Sequence, residues 1–322
     1  MIHSYLCPFF GLPAVPSSTR SGHDEGMASV ENALRTAAFG ESAAVGERFP
    51  RFLASAARGG PRHRWLAAVV LGACGRYAAA TALLEPLIRH RDVAVASLAA
   101  TALASHRRQL GGHAEALSLD GVAVRKAVEA LHGRCGGEGD PDGLDAYGAL
   151  ADGLLGLAAD NLGLGRLAAA EVLVARAARI AAVSGCWRTE TRLGWVRAEL
   201  ALASGERADG VSAAKWARDV ARERGAVRHV VKSELVLGAA LAATGERENG
   251  KQATKLVTDA LIMARRYGWR SLIWPAQLLL ADLEPDRADW NRSKVTNELA
   301  ALLEFTDPMG SRLAHASPWV PI

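Results

Sequence analysis

Five short turns, each centred on a glycine and each lying between stretches rich in Ala and Leu, limit what this chain can fold into. They are ACGRYAAATALL (73–84), QLGGHAEAL (109–117), GLGRLAAAEVL (163–173), ASGERADG (203–210) and ATGERENG (243–250). The turn glycines, Gly75, Gly111, Gly165, Gly205 and Gly245, are spaced by 36, 54, 40 and 40 residues. A period of this size belongs to stacked supersecondary units, none of which can bury its apolar face alone. Half of the residues are hydrophobic and only 6% are aromatic. A core made largely of Ala suits closely packed helices better than a sheet.

A second repetition runs through the C-terminal half. GCWRTETRLGWVRAEL (185–200) aligns with GAVRHVVKSELVLGAAL (225–241), and YGWRSLIWPAQLLLADL (267–283) follows. Each has a Gly, a bulky apolar residue and an Arg: Arg188, Arg228 and Arg270. Arg192, Lys232 and Trp274 stand four residues further on. The longer interval after Gly111 contains LHGRCGGEGDPDGLD (131–145), a Gly- and Asp-rich loop inserted between two hairpins. Asp142 is placed there to cap a helix starting near Leu144.

The turn pattern resembles the tetratricopeptide repeat. That family has a small residue in the first helix, Gly at the turn, an aromatic or similar residue two later and Ala five later. Ala68, Gly75, Tyr77 and Ala80 match, as do Ala104, Gly111, His113 and Ala116, and Ala158, Gly165, Leu167 and Ala170. Gly205 and Gly245 match less well, since Gly210 replaces one Ala and the other is displaced to Ala253. The helix-ending Pro of the family is missing. The chain is also similar to actinobacterial tetratricopeptide-like proteins to which no activity is attached. The resemblance covers roughly residues 60–285 and implies an all-α, right-handed solenoid of six or seven antiparallel hairpins. The expected divisions are a disordered or mis-started extension (1–26), N-terminal repeats (27–132), a loop (133–143), C-terminal repeats (144–305) and an extended tail (306–322). The extension is expected to be dispensable. The tail, with Trp319, Val320 and Ile322, is expected to cap the last hairpins.

Most chemistry is excluded by the sequence. GERENGKQ (245–252) lacks the Ser or Thr of a phosphate loop and follows a helix, not a strand. The nine His show no metal spacing, and His106-Arg107-Arg108 reads as a solvated basic knot at a helix C-terminus. Four separated Cys imply reduced thiols in a cytoplasmic protein. No cofactor, metal or membrane segment is expected. Net charge is only +4, but residues 171–232 hold 12 basic against 7 acidic residues.

The resulting expectation is a non-enzymatic scaffold or adaptor. Its concave, locally basic groove would hold a protein or acidic peptide on Arg188, Arg192, Arg228, Lys232 and Arg270, with Trp195 as the apolar contact. Arg suits bidentate pairing with carboxylates. Two other readings stand beside it: a regulatory partner of transcription associated with nucleic acid, and an enzyme in a helical fold. A structural account competes with the Arg ladder, in which each Arg pairs with Glu190, Glu199 or Glu234. The carboxylate-clamp pattern is absent, its positions being Trp65 and Val69.

Overall fold

The computed structural model describes residues 22–40, 49–133 and 139–322, with side chains from Val30 onward except that of Phe49. Residues 1–21 of the expected extension and 134–138 of the expected loop lie outside the described residues, as do Cys7 and Cys135. Among the described residues there is no strand. Six hairpins follow one another: α3 (Pro61–Ala73) with α4 (Tyr77–Ile88), α5 (Val93–Gln109) with α6 (His113–His132), and α7 (Ala146–Gly163) with α8 (Leu167–Ser184). They continue with α9 (Trp187–Ala203) and α10 (Arg207–Glu223), α11 (Val227–Ala243) and α12 (Arg247–Arg266), and α13 (Arg270–Leu283) and α14 (Ala288–Leu303). Two helices precede them, α1 (Gly22–Phe39) and α2 (Phe49–Ala56), and α15 (Pro308–Ala316) ends the chain. The protein is an all-α solenoid.

The hairpin turns form where glycine permits them. Gly75 and Gly165, at φ 74° and 73°, end their helices in the left-handed region, and the other three turn glycines do the same. The second helix of each hairpin has one buried stripe at helical spacing. In α8 it is Ala170, Val174, Ala177 and Ala181; in α12 it is Ala253, Val257, Ala260 and Ala264. First helices are different. They pack both on their own partner and on the first helices of neighbouring hairpins, so α5 is buried on every side from Ala94 to Gln109.

The row of hairpins curls until its end meets its beginning. The Ser271 hydroxyl on α13 donates to the Ala73 carbonyl of α3 (2.9 Å), and the Ala78 amide donates to the Phe305 carbonyl (2.8 Å). Asp307 caps α15, accepts from Thr81 (3.1 Å) and pairs with the buried Arg107 (2.6 Å). Val320 is buried with Tyr77, Leu110 and Trp274, whereas Trp319 and Ile322, expected to cap the row with it, are exposed.

These contacts correct three expectations. The segment after Asp307 is a helix before it is a tail, and it docks on the first hairpins as well as the last. Residues 22–26, assigned to the extension, belong to α1. Asp145, not Asp142, caps α7, accepting from the Gly148 amide (2.8 Å). Deleting residues 306–322 is expected to lower stability by a few kcal/mol (about 2–4), because it removes Ala314 and Val320 from their buried contacts with Tyr77, Leu110 and Trp274 and takes Asp307 from Arg107. Chemical denaturation of the two chains measures this, and equal midpoints would contradict the docking.

Candidate functional site

The residues expected to form a ladder are inside the molecule. Arg188 and Arg192 lie one turn apart on α9, and both reach Asp152 of α7, one guanidinium to each carboxylate oxygen. Arg188, fully buried, also donates to the carbonyls of Asp142 (3.1 Å) and Gly143 (3.2 Å). A single carboxylate between two guanidiniums lets these charges remain out of water. Burial, offset in part by Asp152, leaves Arg192 lowered to about 10. Arg228 on α11, likewise lowered to about 10 by burial, donates to the Ala38 carbonyl in the last turn of α1 (3.4 Å).

Lys232 is buried with its ammonium 5.8 Å from the Trp195 ring centre. Trp195 does not face a groove. Its indole N–H donates to Ser233 (2.8 Å), and its ring stacks on His229 at 5.3 Å. Trp187 meets the other side of His229, edge-on at 4.9 Å. Neither His229 ring nitrogen has a hydrogen-bond partner. Burial, reinforced by Arg228, Arg188 and Arg192, holds its pKa well below the usual value.

Arg270 stands apart. It is half-buried and donates to the Ala301 carbonyl of α14 (3.1 Å). The reason is a missing residue. Arg188 and Arg228 are three residues after Gly185 and Gly225, whereas Arg270 is two after Gly268. One residue fewer turns a side chain about 100° around its helix. The column of three is therefore not formed. Arg188, Arg192, Arg228 and Lys232, and Trp195 with them, are buried and offer no accessible face to an acidic peptide. Internal pairing prevails, but with Asp152 and backbone carbonyls for Arg188. Of the proposed acids, Glu234 pairs with Arg222 (2.7 Å).

Sequence reasoning missed a second buried cluster. Arg108 of the supposed solvated knot is buried, bridging Asp120 of α6 and Asp160 of α7 (2.8 Å to the latter). Burial pushes Asp160 up to about 7 and Asp120 well above the carboxylate range, with the attraction of Arg108 working against it. His113 lies 3.6 Å from Asp160, and burial lowers it to about 4. Lone Asp residues inside Ala/Leu-rich helices, as in ALADGLLGLAAD (149–160), were the available signal. A carboxylate there is tolerated only against a buried cation.

An accessible cavity of about 500 Å³ lies elsewhere, between α1, α2 and the start of α3. Val30, Phe52, Ala56 and Pro61 supply its apolar lining, and Glu31, Arg62, His63 and Asp92 its polar part. Several of these charges are already paired. Arg62 donates to the Leu144 carbonyl (3.1 Å), Glu31 accepts from Arg35 (2.7 Å) and Asp92 caps α5. Cys74 and Cys186 are free thiols, raised by burial. Among the described residues no group of His, Cys, Asp or Glu could hold a metal ion, and no helix is long and apolar enough to cross a membrane. Neither a family model nor a curated protein matches the chain.

Proposed function

We propose that the chain is a non-enzymatic, tetratricopeptide-like binding module for a protein partner, and that the partner enters the cleft between α1, α2 and α3. The cleft is the observation that supports this reading. Its size lies within the range of binding pockets, and its apolar lining with a few polar groups is the usual composition of such sites. It fits one or two large apolar side chains of a peptide segment. Because the rim carries both signs of charge, the cleft does not select for an acidic partner. A cytoplasmic location accords with the free thiols.

Phe52→Glu is expected to lower affinity for the partner at least tenfold with helix content unchanged, since Phe52 is only partly buried. The partner is found by placing a photo-crosslinking phenylalanine analogue at position 52 in the native host. Val172, exposed on α8, is the control position. A protein captured from both positions, or from neither, overturns the cleft as the site.

A further inference from the structure

Helix α1 stands outside the repeat order. It packs on α3 and also reaches α11, two helices far apart in the row, so it crosses the inside of the spiral. Three kinds of contact hold it. Its apolar face, Leu34, Ala37, Ala38 and Phe39, is buried, with the Phe39 ring 6.4 Å from that of Trp65. Arg35 pairs with Asp140 (2.8 Å) and Asp142 in the segment before α7, and with Glu31 one turn back. Its last turn presents the Ala38 carbonyl to Arg228. The electronegative C-terminal end of a helix thus meets one of the interior cations.

These contacts describe a receptor for a helix. Apolar positions at 34, 37, 38 and 39 define the face. A cation at 35 is read by two carboxylates, and the helix end is read by a guanidinium. We propose that α1 is an exchangeable occupant of the inner face, and that a partner protein's amphipathic helix with this same pattern takes its place. This exchange requires neither the tetratricopeptide resemblance nor occupation of the cleft.

The test uses the full chain and a fluorescent synthetic peptide of residues 22–39. In the parent, the tethered α1 competes at an effective concentration in the millimolar range, so added peptide binds weakly. Leu34→Glu in the full chain would place a charge in the apolar seat and evict its own helix. This variant is expected to bind the wild-type peptide at least tenfold more tightly than the parent does. An otherwise identical peptide with Arg35→Glu is expected not to bind. Arg35→Ala in the full chain loosens only the ionic contact and serves if Leu34→Glu fails to fold by circular dichroism. Its peptide affinity should rise, and hydrogen exchange over 30–39 should accelerate when peptide is added. A folded variant with no gain in affinity, or equal binding of the Arg35→Glu peptide, overturns the proposal.

Discussion

Replacing Arg188 and Arg228 together with Glu is expected to unfold the protein. Had the two side chains lined an open groove, the double variant would keep its helices and lose only a partner. Instead, a carboxylate at position 188 would face Asp152 and the carbonyls of Asp142 and Gly143, all of which accept from Arg188 in the parent. At position 228 a second carboxylate would face the Ala38 carbonyl at the C-terminal end of α1. Breaking a buried ion pair by removing one partner costs about 3–5 kcal/mol, and like charges add to this. With a second carboxylate buried at 228 against that carbonyl, the loss takes up much of the stability of a typical domain, about 5–15 kcal/mol. Circular dichroism at 222 nm and a thermal melt report the outcome. A double variant that melts with the parent would mean that these residues reach water.

His229→Phe is expected to stabilise the protein, by an amount that grows on acidification. The ring lies between Trp187 and Trp195, and neither nitrogen is satisfied. A phenyl ring keeps the aromatic contacts and removes the unsatisfied polar atoms, a gain of about 1–3 kcal/mol. The pH dependence follows from linkage. In the unfolded chain this imidazole takes up a proton as pH falls below about 6.5, while the folded state keeps it neutral to a much lower pH. Its contribution is therefore fully present above that value and lost below it. The difference between parent and variant should widen by about 1.4 kcal/mol for each pH unit below 6.5.

Only a difference between two chains at the same pH isolates this imidazole. His106 and His113, lowered by burial to about 3 and about 4, push in the same direction as His229. Asp142 and Asp160, raised by burial to about 6 and about 7, push the other way. They hold protons in the folded state that the unfolded chain releases. These opposed titrations flatten the profile of the parent but cancel in the difference. Urea midpoints of both chains at pH 7.5 and 5.5 provide the measurement, and parallel shifts would show that His229 is solvated.

The hairpin row was legible because its determinants are local. A left-handed glycine such as Gly165 ends a helix using its own backbone, and the stripe Ala170, Val174, Ala177 and Ala181 states which face of α8 is buried within four turns of sequence. Even the failure of the Arg ladder was written locally, in the two-residue spacing from Gly268 to Arg270. The interior was not legible. Arg188 meets an Asp 36 residues earlier, Arg108 an Asp 52 later and Arg107 an Asp 200 later. An Arg in an Ala-rich helix reads as solvated until another helix is brought against it. How tightly the row curls depends on small rotations between successive hairpins, and these accumulate from packing along its whole length. That accumulated curvature, not any one motif, turned the expected groove into an interior and seated α1 across it, with an accessible cavity beside α2.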